Sequence, residues 1–376
     1  MKKDWEIKKL YEVCEIECGT RVVRKVDGGT IYPVYGGGGA TFKMDTYNRE
    51  NCLIVSRFAM SEKCTRFVEG KFFLNDSGLS LRANENVIYQ KYLETVILGK
   101  NDEIYSLGRG AAQKNLDMAR FRELEISYPK SLEEQKRIVK ILDEKFAQLE
   151  KIKTNAQTNL QNAKDLFLSQ LTKAFSNTTW EKKKMGDIFE MVRGPFGGSL
   201  KKECFKPEGY PVYEQQNAIY SKFTFRYFID ESKYKEMVRF TVKPGDFIMS
   251  CSGTMGKVSI VPESAPIGII NQALLKMTPI KNFDSLYIKY YMDTPSFMES
   301  LLKDAQGAAI QNVASVKMLK EIEIPLPPLH EQKRIVKGLD TLSEKVRQLQ
   351  EIYTKQIANC DELKQAYLQK AFEASL

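Results

Sequence analysis

The chain has 376 residues, 43% hydrophobic and 28% charged, with 57 Lys and Arg against 48 Asp and Glu and a formal net charge of +9. At roughly 100–200 residues per domain this gives two or three domains, each long enough to bury a core. The basic excess suits a polyanionic partner, because each neutralised phosphate releases counterions, and no run of about 18 apolar residues is present to span a membrane.

The start, Met1-Lys2-Lys3-Asp4-Trp5-Glu6, has no apolar run after its lysines, so no signal peptide is expected. The strands expected in the first body are Tyr32-Pro33-Val34-Tyr35 and Cys52-Leu53-Ile54-Val55-Ser56. Gly28-Gly29 and the four glycines at 36–39 mark turns, the latter a turn or a close backbone approach. A helix is expected near Tyr92-Leu93. Ser131-Leu132-Glu133-Glu134 then has the capping-box pattern that opens a long helix. Its four-three seam reads Ile138, Leu142, Lys145, Leu149, Ile152, Ala156, Asn159, Ala163, Leu166, Gln170.

In the second body, Phe247-Ile248-Met249-Ser250 reads as a strand and Tyr287-Ile288-Lys289-Tyr290-Tyr291-Met292 as a helix. Turn signals are Gly194-Pro195, Gly197-Gly198, Pro244-Gly245-Asp246, Gly253 and Gly256. A second long helix opens after Pro325, Pro327 and Pro328, since proline is tolerated only near a helix start. Its seam is Ile335, Leu339, Leu342, Val346, Leu349, Tyr353, Gln356, Cys360, Leu363, Tyr367.

The chain is written twice. Trp5-Glu6 recurs as Trp180-Glu181, and Tyr32-Pro33-Val34-Tyr35 as Tyr210-Pro211-Val212-Tyr213. Asn75 has a weaker echo in Asn271. Gly110-Ala111-Ala112-Gln113-Lys114-Asn115-Leu116 returns as Gly307-Ala308-Ala309-Ile310-Gln311-Asn312-Val313. Residues 134–140, Glu-Gln-Lys-Arg-Ile-Val-Lys, repeat letter for letter at 331–337. Over residues 134–175 the offset stays at 197, with 15 identities in 42 positions. The body before it gains about 22 residues in the second copy. Each unit is thus a variable body followed by a fixed helical tail. A tail of about 42 residues is roughly 63 Å long and needs a partner to be stable. The nearest partner is the other copy, related by a rough two-fold axis and therefore antiparallel. Packing of each tail on its own body is the alternative, which a body of this size would not cover.

Motifs for chemistry are missing. The seven cysteines, Cys14, Cys18, Cys52, Cys64, Cys204, Cys251 and Cys360, form no CxxC pair, and His330 is the single histidine. Neither a zinc quartet nor a Ser/His/Asp triad can be assembled from them. Scattered, reduced cysteines fit a cytosolic protein. The segment at 253–257 is too short for a phosphate-binding loop, and Glu69-Gly70-Lys71 is one of many acid-x-Lys triplets. Neither a methyltransferase cofactor loop nor an Asn/Asp-Pro-Pro-aromatic motif is found.

The bodies do hold side chains suited to nucleic acid. In the first these are Arg21, Arg24, Lys25, Tyr35, Lys43, Arg57, Lys63 and Arg66. In the second they are Arg193, Lys201, Lys202, Gln215, Gln216, Asn217, Arg226, Ser252, Thr254 and Lys257. Arg reads guanine, Asn and Gln read adenine, and Lys meets phosphate. After the shared Tyr-Pro-Val-Tyr, one copy has four glycines and the other Glu214-Gln215-Gln216-Asn217, expected as a divergent loop on a fixed strand.

This doubled pattern resembles the specificity subunits of Type I restriction-modification systems over essentially the whole chain. The resemblance implies an α+β fold: two mixed α/β target recognition domains, a pseudo-two-fold repeat, and two long helices forming an antiparallel coiled-coil spacer. The divisions would be residues 1–130, 131–176, 177–328 and 329–376. It implies a non-catalytic chain, without cofactor or metal, that reads a bipartite asymmetric site on double-stranded DNA. Two copies of a methyltransferase subunit, carrying S-adenosylmethionine, would methylate adenine N6, and an ATP-dependent restriction subunit is a further partner. The setting would be a bacterial or archaeal cytoplasm. The competing readings are a stand-alone DNA-binding regulator and a coiled-coil protein scaffold.

Overall fold

The computed structural model describes residues 4–111, 113–196, 198–302 and 315–372. Contacts divide the chain into two compact units, Met1–Thr158 with Tyr353–Leu376, and Asn159–Ile352. The two long helices, Leu132–Ala174 and Leu329–Phe372, each supply residues to both units.

In the first unit, Trp5–Lys9 pairs antiparallel with Glu125–Pro129, which brings the ends of the body together just before the long helix. Between them lies a six-stranded sheet in the order Cys14–Cys18, Gly78–Ala83, Arg49–Ser56, Thr65–Leu74, Tyr32–Tyr35, Lys43–Met44. The runs rich in Val, Ile, Leu and Phe form its centre, with Leu53, Ile54, Val55, Phe72 and Leu74 buried. Tyr32–Tyr35 lies parallel to Thr65–Leu74, with Val34 opposite Phe73 and Tyr35 opposite Leu74. The helix Gln90–Gly99 buries Tyr92, Leu93, Val96 and Ile97 beneath the sheet. The C-terminal helix completes this core: Ala371 is buried in it, and Phe372 meets Tyr92 edge-on at 5.7 Å.

The second unit repeats the plan with a longer body. Lys182–Lys184 pairs with Glu323–Pro325, and Tyr210–Tyr213 lies parallel to Gly268–Ile270 with Val212 opposite Ile269. The single long strand Thr65–Leu74 is here divided into Val258–Ile260 and Gly268–Ile270. Two four-stranded sheets result in place of one six-stranded sheet. The helix Ser285–Met292 buries Tyr287, whose hydroxyl donates to Pro325 O at 2.8 Å, as Tyr92 donates to Ser127 O at 3.1 Å. The repeated block at 307–313 lies outside the described residues.

Within the first unit the long helices run antiparallel. Lys364 sits over the Phe146 ring at 5.2 Å, and Lys153 Nζ donates to Asp361 Oδ1 at 2.6 Å. In the second unit Leu171 shares a core with Ile335, Val336 and Leu339. The expected seam holds at Ile138, Leu142, Leu149, Ala156 and Ala163, and at Ile335, Leu339, Val346 and Cys360, all buried. Leu342 is half-buried. Seven of its positions need correcting, because Ile152, Leu166, Leu349 and Leu363, together with the polar Asn159, Gln170 and Gln356, face solvent. The contacting row lies one residue later, through Phe146, Lys153, Leu160 and Phe167, and through Ser343, Gln350 and Ile357. Phe146, Leu160 and Phe167 offer more apolar area than Lys145 and Asn159, so the helix is rotated to cover them. The second helix has the same rotation.

Candidate nucleic-acid interface

In the second unit, four chain segments meet at one end of the sheets. The strand Phe189–Arg193 ends at Gly194, whose N–H donates to Leu274 O at 2.9 Å. A Cβ at Gly194 would run into the Asn271 carbonyl, so only glycine permits this approach. Asn271 N–H donates to Tyr213 O at 3.0 Å, and Cys251 N–H to Ala273 O at 2.9 Å. The ends of Phe189–Arg193, Tyr210–Tyr213 and Phe247–Ser250 are thereby gathered around residues 271–273.

The first unit builds the same end from the repeated residues. A Cβ at Gly19 would meet the Asn75 carbonyl. Asn75 N–H donates to Tyr35 O at 2.8 Å, and Arg57 N–H to Ser77 O at 2.8 Å. Even the turn after the central strand matches: Ala59 has φ +48° where Gly253 has φ +61°. A left-handed alanine is a strained choice, held here by its N–H donating to Asn115 Oδ1 at 3.2 Å.

The side chains on these two scaffolds differ. In the first unit Gly36 and Gly37 are buried, and Ser56 Oγ donates to Gly37 O at 2.6 Å. With Phe58, Asn75 and Gln113 these glycines line a cavity of about 410 Å³. The Arg57 guanidinium lies 4.6 Å from the Phe58 ring centre. Tyr35 turns its ring edge-on to Phe72 at 5.5 Å and is a packing residue. Arg21 is exposed. Arg24 and Lys25, on the short helix Arg24–Asp27, and Lys43 are exposed at the outer edge of the sheet. Lys63 and Arg66 lie elsewhere, in a cleft of about 900 Å³ shared with Phe146, Lys153 and Lys364. The candidates of the first body therefore fall in three places.

In the second unit the residues after Tyr213 form a helix, Gln215–Tyr220, and not the expected loop. The cause is local. Asn217 Oδ1 accepts from Glu214 N–H at 2.7 Å in a reciprocal cap, and Asn217 Nδ2 donates to Lys222 O at 2.7 Å. Asn217 is wholly buried, which removes it from the side chains that can reach a base. Gln215 Nε2 donates to Ser252 Oγ at 2.7 Å, so these two form one polar pair. Arg226 binds Glu214 with two hydrogen bonds, at 2.8 and 2.9 Å. Gln216 and Arg193 are half-buried, and Lys201, Lys202, Thr254 and Lys257 are exposed. The Arg193 side chain reaches Cys251, whose thiol is pushed up to about 11 mainly by burial. Sequence reasoning passed over Phe196 and Tyr220, which are 92% and 74% exposed. The signal for Phe196 is its place in Gly194-Pro195-Phe196-Gly197-Gly198, a ring set among turn residues.

Among the described residues no group of three or more His, Cys, Asp or Glu is placed to hold a metal ion, and no helix is long and apolar enough to cross a membrane.

A family model for the Type I restriction modification DNA specificity domain matches residues 2–160 and again residues 177–357. The chain belongs to this family. The two matches coincide with the two copies of the repeat, so each copy of this specificity subunit is one specificity domain. A protein described as the MjaX type I restriction enzyme specificity subunit of Methanocaldococcus jannaschii is 28% identical over 305 residues, covering 73% of this chain and 67% of the relative. The MjaVIII specificity subunit of the same organism is 23% identical over 298 residues, covering 74% and 70%. Among solved structures, a chain from a type I R-M system studied for complex assembly and conformational transition aligns with TM-score 0.79 at 19% identity, over 100% of this chain and 99% of that one. The HsdS subunit from Thermoanaerobacter tengcongensis aligns with TM-score 0.57 at 19% identity, over 100% and 98%. At these identities the structural matches establish the fold.

Proposed function

We propose that each unit of this specificity subunit reads one half of a bipartite, asymmetric duplex site. The chain would direct adenine-N6 methylation there by partner subunits and would supply no catalysis itself. The observation that carries this reading is one scaffold built twice with different tips. Gly19 and Gly194, Asn75 and Asn271, and Ala59 and Gly253 hold equivalent backbone places. The tips differ: Gly36 and Gly37 against Glu214 and Gln215, and Arg57 and Phe58 against Cys251 and Ser252. Two readers of different base sequence need a common frame and unlike edges. Tethered on one chain, two weak half-site contacts make one tight site.

Two copies of a methyltransferase subunit, each holding S-adenosylmethionine, are the partners in this reading, with an ATP-dependent restriction subunit as a further one. Support comes from Lys136, Arg137 and Lys140, which are exposed and identical to exposed Lys333, Arg334 and Lys337. Folding does not demand identity at solvent-facing positions, whereas docking the same protein twice does. The setting is the cytoplasm of a bacterium or archaeon.

The test is binding of the chain with its methyltransferase partner to duplex DNA across a salt series, with methyl transfer followed in parallel. The proposal predicts affinity that falls steeply with salt, and methyl incorporation into adenine. Duplex binding without methyl transfer would favour the stand-alone regulator, and no salt-sensitive binding would favour the scaffold.

A further inference from the structure

Among the described residues no large apolar side chain is more exposed than Phe196, at 92%. A phenyl ring left in water forgoes the burial that normally stabilises it. The support beneath the ring is fixed. Gly194 is pressed against the Asn271 carbonyl, Pro195 is buried, and Ser199 N–H donates to Phe196 O at 3.0 Å. The loop continues into two exposed cations, Lys201 and Lys202, while Arg193 before it is half-buried and reaches Cys251. The equivalent loop of the first unit behaves differently. Two residues after Gly19 it carries exposed Arg21 in place of a ring, while Val22 packs inward on Val34, Met44 and Phe73 just as Leu200 packs inward in the second unit, and Val23 is half-exposed. The second unit alone points a ring outward from this place.

We propose that Phe196 is a wedge that enters the DNA stack at the half-site read by the second unit. A phenyl ring on a braced tip, followed by cations that hold phosphate, can insert between two base pairs and unstack them. The unstacked step lowers the cost of swinging a base out of the duplex, which chemistry on that base requires. The ring makes no base-specific hydrogen bond. It selects steps that unstack easily, so it adds specificity through deformability. The two half-sites are then treated unequally, one opened by an aromatic wedge and the other read without this one.

The inference rests on the DNA-reading function proposed above, and one experiment separates the two. The chain is assembled with its methyltransferase partner and mixed with duplexes carrying the sequence that it marks for methylation. 2-Aminopurine is placed at successive steps of the half-site read by the second unit. With the natural chain, fluorescence rises at one step, reporting loss of stacking. Phe196→Ala removes that rise and weakens binding on the order of 10- to 100-fold, the loss of one base–aromatic stack. Phe196→Trp retains both signals, and a mismatch at that step restores Phe196→Ala binding, because the unstacking is already done. Unchanged affinity and fluorescence in Phe196→Ala overturns the wedge and leaves DNA reading intact. Loss of methyltransferase assembly in Phe196→Ala, seen by size-exclusion chromatography, overturns it in favour of a protein contact. Absence of duplex binding by the natural complex overturns both readings.

Discussion

Gln135 Oε1 accepts the backbone N–H of Tyr89 at 2.7 Å, while its Nε2 donates to Val87 O at 3.1 Å and Pro129 O at 2.8 Å. Gln135 is fully buried at the start of the first long helix, and Tyr89 caps the body helix Gln90–Gly99. Gln332, 197 residues later, accepts from Asp284 N–H at 2.9 Å and donates to Pro327 O at 2.7 Å. The repeated glutamine therefore clamps each body to the start of its own long helix. Replacing Gln135 with Leu leaves the Tyr89 N–H buried without an acceptor, and a loss of about 2–3 kcal/mol is expected. Thermal unfolding should show it, with Lys136→Ala, an exposed neighbour, within about 0.5 kcal/mol of the natural chain.

The glycines at 36–39 are not equivalent. A Cβ on Gly37 would collide with the Phe58 carbonyl, while one on Gly38 meets nothing within 4 Å. Gly37→Ala should therefore lower the urea midpoint by an amount corresponding to more than about 1 kcal/mol, and Gly38→Ala should stay within about 0.5 kcal/mol. Equal effects would show that the close approach at Gly37 is absent in solution.

Asn217 caps a helix and Thr254 faces solvent. Asn217→Ala should cost about 1–3 kcal/mol of stability by leaving the Glu214 N–H and Lys222 carbonyl without their partner. Thr254→Ala should leave stability unchanged, and any effect on DNA affinity would arise from the surface alone. Calorimetry and a duplex-binding titration on the same two variants check this.

Burial raises the Cys14 thiol from 9.0 to about 12 and the Cys64 thiol to about 11, and burial aided by Glu94 raises Cys52 to about 11. These groups stay protonated at pH 8, so iodoacetamide should modify exposed Cys18 first. The folded values lie above the unfolded one. Their contribution to stability is thus complete below pH about 9 and is lost as pH rises toward 11–12. A pH series of unfolding midpoints should decline through that window.

The repeat and the long helices were legible in the sequence because they depend on local pattern: identical letters at 134–140 and 331–337, a capping serine at 131, prolines before the second helix. The strands at Tyr32–Tyr35 and Phe247–Ser250 were legible from their apolar runs and flanking glycines. The face of each long helix was not. A four-three count gives a stripe but not the side on which Phe146 and Leu160 outweigh Lys145 and Asn159, which depends on the opposing helix. The helix at Gln215–Tyr220 is not legible in the sequence because its cap is a reciprocal Glu214–Asn217 pair, which has the composition of a loop. The basic candidates were scattered because charge in one dimension does not say which strand ends converge. Lys63 and Arg66 face a cleft, while Arg57 stands at the gathered strand ends.

The most direct test of the central claim is long-read modification sequencing of DNA from cells with and without this chain, the proposed methyltransferase partner being present in both. The account predicts N6-methyladenine at a two-part motif with a fixed gap, only when the chain is present. Exchange of residues 189–302 for those of a relative should change one half of the motif alone. Methylation that does not depend on the chain, or a motif without two separable halves, would contradict it.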